Sequence, residues 1–134
     1  MRPELLWIAA LPAALLIASS PTDAAVRVID GDTIDLDGER IRLTSEAGPM
    51  DAPELFHPGC PKERATAMTA RDRLTGILAL GKITVERQGF DWRGRTIAIV
   101  RADGRDVSAI LERDGLAAPW PRLSRRDKPD WCRP

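Results

Sequence analysis

Between Val26 and Leu43 two Asp-Gly turns divide the chain into three short runs rich in branched residues, and no other segment constrains the fold as strongly. Val26-Arg27-Val28-Ile29 and Thr33-Ile34-Asp35-Leu36 flank Asp30-Gly31-Asp32, and Asp37-Gly38 leads into Arg40-Ile41-Arg42-Leu43. Alternating branched residues on either side of a tight Asp-Gly turn favour antiparallel pairing. The stretch predicts a three-strand meander.

The rest of the chain must complete a core around that meander. Ser45 to Pro61 carries Pro49, Pro53, Pro58 and Pro61 and is expected to be a long loop without a regular element, a place where functional residues often sit. From Lys62 to Leu80 the period changes. Ala67, Ala70, Leu74, Ile77 and Leu78 fall on one helical face, Glu63, Arg64, Arg71, Asp72 and Arg73 fall mostly elsewhere, and Gly81 supplies the stop. Two further strands, Lys82 to Arg87 and Thr96 to Arg101, are joined by a loop containing Asp91-Trp92-Arg93-Gly94-Arg95. Asp106 then caps a short helix with Val107, Ile110 and Leu111 inward, ended by Gly115. Three strands, a helix, two strands and a short helix suit a mainly β, α+β domain: a five-stranded OB-type barrel with one long and one short helix.

At 134 residues there is room for one such domain. Residues 1–24 are set apart as a signal peptide: Arg2 gives a positive start, Leu5 to Ala18 an apolar run shorter than a bilayer span, and small residues follow, with cleavage expected near Ala24 and retention as an anchor the alternative. The whole chain has 20 basic and 20 acidic residues, and losing Arg2, Glu4 and Asp23 leaves a net charge of +1. So balanced a domain lacks the global basic field of a tight, non-specific duplex binder, and phosphate recognition must be local. Export leads to a secreted or periplasmic location, where Cys60 and Cys132 are expected to pair and close most of the mature chain into one loop; in the cytoplasm they would remain free thiols.

Asp32, Asp51 and Glu54 stand at strand ends and in loops. Singly each reads as a turn former or a solvated charge. Together, with Asp51-Ala52-Pro53-Glu54 stiffened by proline, they offer the oxygen donors that a hard cation such as Ca²⁺ prefers. Zinc suits the chain poorly, since His57 is its single histidine and the cysteines are expected to pair. Arg42 and Arg95 can answer the charge that builds on phosphorus during phosphodiester cleavage, because a guanidinium presents paired planar donors. With 20 Lys and Arg in the chain, only position can single these two out.

Five segments in order supply that position: Ile29-Asp30-Gly31-Asp32-Thr33, Ile41-Arg42-Leu43, Asp51-Ala52-Pro53-Glu54, Asp91-Trp92-Arg93-Gly94-Arg95 and Asp114-Gly115-Leu116-Ala117. In this order they resemble the successive signatures of staphylococcal-nuclease-like proteins, over about residues 26 to 120. The resemblance implies an OB-fold nuclease domain over residues 25–120. Asp32, Asp51 and the carbonyl of Ala52 would be ligands of one Ca²⁺, and Glu54 would position or deprotonate the attacking water. Arg42 and Arg95 would bind the phosphate. It further implies a phosphodiesterase acting on DNA and RNA and leaving 3′-phosphate ends; the expected substrate is single-stranded or locally unpaired and the expected state a monomer.

Three features depart from that pattern. The eight residues from Leu43 to Met50 form a longer link between Arg42 and Asp51 than the family uses. The chain has no tyrosine, so Trp92 and Trp120 are the candidates for stacking on a base, with packing on the barrel end as the alternative. Residues 121–134, basic and proline-containing, replace a final helix, and Cys132 could tie them to Cys60 beside the presumed metal loop. An OB-type module that binds nucleic acid or another partner without cutting is the alternative function.

Overall fold

The computed structural model describes residues 25–134; the expected signal peptide, residues 1–24, lies outside the described residues. The meander forms as its turns dictate. Strands β1 (Val26–Asp30), β2 (Thr33–Leu36) and β3 (Glu39–Thr44) pair antiparallel in sequence. Asp37 and Gly38 both take positive φ, 49° and 86°, the combination a two-residue turn needs to match strand twist. Ile34, Ile41 and Leu43 point into the core with at most 1% exposure.

Helix α1 (Pro61–Leu80) begins with proline in its first turn and Cys60 as N-cap, and Gly81 ends it. Its buried face consists of Ala67, Ala70, Leu74 and Leu78, small residues first, so the helix packs closely over β1 at its N-terminal half. Glu63, set apart from this face by its charge, in fact shares the face with Ala67, Ala70 and Leu74 and is buried, its carboxylate accepting from backbone amides of the preceding loop.

Strand β5 (Ile83–Phe90) runs further than the expected Arg87, because an irregularity between Arg87 and Gly89 lets the ladder resume. Strand β6 (Thr96–Ala102) pairs antiparallel with β5 and parallel with β3, giving the order β1-β2-β3-β6-β5. The architecture is mixed α+β and OB-like, and the five strands form an open rather than a closed barrel among the described residues. The short β7 (Arg105–Asp106) turns back to pair antiparallel with β6 and delivers Asp106 as N-cap of α2 (Val107–Arg113), where it accepts from the amides of Ser108 and Ala109. Val100, Val107 and Leu111 join Ile34, Ile41, Leu43, Met50 and Leu74 in one core. Among the described residues no helix is long and apolar enough to cross a membrane.

The segment expected to be wholly irregular contains two ordered pieces. Ser45 and Gly48 exchange both backbone hydrogen bonds at 3.0 Å, so the extra residues close into a tight turn on themselves. That turn is tied to the far end of β6 and the start of α2: Asp106 Oδ2 accepts the Glu46 amide at 2.8 Å, and Arg101 pairs with Glu46 at 2.7 Å. Met50–Asp51 then forms β4, paired antiparallel with β8 (Ala118–Pro119). Sequence pattern alone could not reveal a two-residue strand whose partner lies far along the chain.

Candidate active site

The site begins with a glycine. A Cβ on Gly31 would lie 2.9 Å from Cβ of Ala52 and 3.0 Å from Cβ of Ala70, so only glycine lets the first turn rest against both α1 and the loop after β4. That close approach brings Asp32 beside Asp51 and Ala52. Asp32 is 4% exposed. Its Oδ1 accepts from Thr33 Oγ1 at 2.8 Å and its Oδ2 from Arg42 Nη1 at 2.7 Å, while Arg42 Nη2 donates to the Met50 carbonyl at 3.1 Å. Arg42 is thus held through both terminal nitrogens of its guanidinium, one of them on Met50, the residue just before Asp51.

Arg95 joins the same network from the loop between β5 and β6. Its Nε donates to Asp91 Oδ2 at 2.7 Å and its Nη1 to Thr33 Oγ1 at 3.4 Å, so Arg95, Thr33, Asp32, Arg42 and Met50 form one hydrogen-bonded chain. Burial pushes the Asp91 carboxyl up, but the backbone and side-chain hydrogen bonds from Arg95 more than offset it and leave the group below its usual range. Asp91 therefore stays ionised and holds the arginine in place.

On the other wall, Asp51 is buried and its Oδ2 accepts from the indole Nε1 of Trp131 at 2.9 Å. The Ala52 backbone is buried next to it. Glu54 is partly exposed, with Oε1 3.5 Å from the Lys128 ammonium. Its main chain is pinned from below: Glu63 Oε2 accepts the Glu54 amide at 2.9 Å and Oε1 accepts the Gly59 amide at 2.8 Å.

Like charges crowd this wall. Burial, then the neighbouring Asp32 carboxylate, raises Asp30 from 3.8 to about 8, with the more distant Glu54 adding to the effect. Burial likewise raises Asp51 to about 6; Asp32 pushes it further up, while the Trp131 hydrogen bond, Lys128 and Arg42 pull it down. Among the described residues no three His, Cys, Asp or Glu side chains converge as a ready-made metal cage. The donors nonetheless fit a hard divalent cation: they are all oxygens, they are withdrawn from water, and the repulsion between Asp32 and Asp51 is what a bound cation relieves.

The expected base-stacking residues part company. Trp92 is 87% exposed, not packed on the barrel end, and the Arg93 guanidinium lies 4.9 Å from its ring centroid. Trp120 is engaged in folding the chain's last segment: its amide donates to Pro49 O, its Nε1 to Ser124 O at 2.8 Å, and Lys128 lies 5.8 Å above its ring. Cys60 and Cys132 form a disulfide. Three residues that sequence reading did not single out for the site belong to it: Asp30, Glu63 and Trp131. The spacing Cys60-x-x-Glu63 resembles a capping box and could have flagged Glu63, and Asp30 shares the turn with Asp32. Nothing local flags Trp131, which reaches Asp51 from 80 residues away.

No protein-family model matches the chain. Curated relatives do. It is 38% identical over 126 residues to the succinoglycan biosynthesis protein ExoI of Rhizobium meliloti (strain 1021), covering 82% of this chain and 61% of that one. It is 35% identical over 98 residues to the thermonuclease of Staphylococcus intermedius, covering 68% and 55%. The chain thus spans less than two thirds of the length of either protein. To the micrococcal nuclease of Shigella flexneri it is 30% identical over 132 residues, covering 87% of this chain and 72% of the other. With a similarity of that extent, the chain belongs to the staphylococcal-nuclease-like family of micrococcal nucleases and thermonucleases.

Proposed function

We propose that the chain is an exported, metal-dependent nuclease that hydrolyses phosphodiester bonds in DNA and RNA, with residues 25–120 as its nuclease domain. The observation that carries this reading is the double anchorage of Arg42 on Asp32 and on the carbonyl of Met50, which keeps a phosphate-binding arginine next to Asp51 despite the longer link between them. The relatives named as nucleases support the same activity. The disulfide supports an oxidising destination, secreted or periplasmic.

The roles follow from the chemistry at each position. Asp32, Asp51 and the carbonyl of Ala52 would hold one Ca²⁺, which when bound supplies positive charge for the phosphate and for its attacking water. Glu54 orients that water and takes its proton. Arg42 and Arg95, already oriented by Asp32 and Asp91, stabilise the charge that builds on the phosphoryl oxygens at little reorganisation cost. As the water oxygen bonds to phosphorus the P–O5′ bond breaks, the 5′-oxygen leaves as a hydroxyl protonated from solvent, and the phosphate stays on the 3′-oxygen. Exposed Trp92, with Arg93 over its ring, offers a stacking face to an unpaired base, and Trp120 would border the same substrate path. The protein acts as a monomer in this reading.

A second reading, a module that binds nucleic acid without cutting it, is favoured by one contact: Lys128 pairs with Oε1 of Glu54, one of the two oxygens through which that carboxylate could take a proton from water. Both side chains of that pair are more than a third exposed, and such pairs are weak enough for substrate and water to displace. Incubating single-stranded DNA and RNA with the protein, with Ca²⁺ and with chelator, decides between them. Calcium-dependent cutting to 3′-phosphate ends supports the nuclease, and metal-independent binding without cutting supports the module.

A further inference from the structure

Trp131 lies beyond the segments that resemble the family, yet it makes the one side-chain hydrogen bond to Asp51 found among the described residues. The bond takes Oδ2 only. Oδ1 of the same buried carboxylate accepts no hydrogen bond among the described residues and remains free for another partner.

The segment that carries Trp131 is built to stay. Cys132, the next residue, is cross-linked to Cys60, its amide donates to Asp130 Oδ1 at 3.0 Å, and the Lys62 ammonium donates to the carbonyl of Arg133. Upstream, Trp120 folds the segment back through Ser124. Cys60 is at the same time the N-cap of α1, three residues before the Glu63 that holds the Glu54 amide. One cross-link therefore joins the support of Glu54 to the support of Asp51.

We propose that Trp131 is a positioning residue for the cation ligand Asp51: its indole N–H fixes one carboxylate oxygen and leaves the other available, and the Cys60–Cys132 bond holds it there. This inference rests on the metal-dependent reading above. Hydrogen bonds that orient a metal's carboxylate ligands are worth about 10- to 100-fold in metal affinity. A buried acid that must otherwise choose its own rotamer pays that cost on binding.

The test is calorimetric titration of the full chain with Ca²⁺, alongside thermal unfolding, for wild type, Trp131→Phe, Cys132→Ser and the double variant. Phenylalanine keeps a ring and removes the donor. The expected result is about a tenfold weaker affinity for Trp131→Phe, measured well below the midpoint of each protein so that both are folded. The double variant should bind no more weakly than Cys132→Ser or Trp131→Phe alone, because both act through one contact. A merely structural tryptophan would lower the midpoint and leave affinity untouched. Wild type and Trp131→Phe binding equally would overturn this inference alone; wild type taking up no calcium would overturn the metal reading and this inference with it. Should Trp131→Phe not fold, Cys132→Ser, titrated with Ca²⁺ at a temperature well below its own lowered midpoint, carries the comparison: weaker binding by the folded variant supports the tether, and affinity equal to wild type overturns the inference.

Discussion

Arg42 donates to Asp32 Oδ2 at 2.7 Å and to the carbonyl of Met50 at 3.1 Å, so a single guanidinium clamps together the two ends of the excursion between β3 and β4. The residues in between fold outward as the Ser45–Gly48 turn and are tied to Asp106 and Arg101. Lysine at position 42 keeps the charge but, as a point donor on a flexible stem, cannot span both acceptors. Arg42→Lys should therefore cut less DNA by about 100-fold or more while its circular dichroism spectrum is unchanged.

Gly31 makes the complementary contact from the other side. Gly31→Ala would place a methyl group 2.9 Å from Ala52 and 3.0 Å from Ala70, and neither is a flexible side-chain end. Overpacking of this kind costs about 1 to 3 kcal/mol. Urea unfolding should show that loss, and weaker calcium binding should accompany it, because the displaced turn carries Asp32.

Much of the fold was legible in the chain. The meander, α1 and α2 follow from turn chemistry, helical period and caps, which are local signals. The order of motifs identified Arg42, Asp32, Asp51, Glu54 and Arg95 as candidates, and the structure brings Arg42, Asp32 and Arg95 into one hydrogen-bonded network beside Asp51. What was not legible depends on distant pairing. β4 exists only because Ala118–Pro119 comes back to it, the buried Glu63 carboxylate is satisfied only by two amides of the preceding loop, and Trp131 meets Asp51 only through the folded last segment. The helical period in fact puts Glu63 on the face of Ala67, Ala70 and Leu74, so its charge, not its position, argued for solvent, and the loop amides that satisfy it are invisible in the local sequence.

Burial among like charges makes the site sensitive to pH when no cation neutralises it. Asp30 is raised from 3.8 to about 8, so between those values the unfolded chain has released this proton while the folded protein keeps it. Stability of the metal-free protein should therefore fall as pH rises across that window, and Asp51, raised to about 6, adds to the lower half of the fall. Urea midpoints measured at about pH 5 and about pH 8 should differ in that direction, and Asp30→Asn should flatten the difference.

The disulfide closes a loop of 72 residues, which corresponds to about 4 kcal/mol of lost unfolded-state entropy. Serine in place of Cys60 preserves the N-cap of α1, so Cys60→Ser/Cys132→Ser isolates the cross-link. Its thermal midpoint should lie about 15 °C or more below that of the oxidised protein by calorimetry.

Cleavage of a labelled single-stranded DNA by wild type, Glu54→Gln and Arg95→Ala, each shown folded by circular dichroism, tests the assigned site most directly. With Ca²⁺ the wild type should cut, chelator should stop it, and each variant should lose about 100-fold or more in rate. Equal cutting by all three proteins, or undiminished cutting in chelator, would contradict the account.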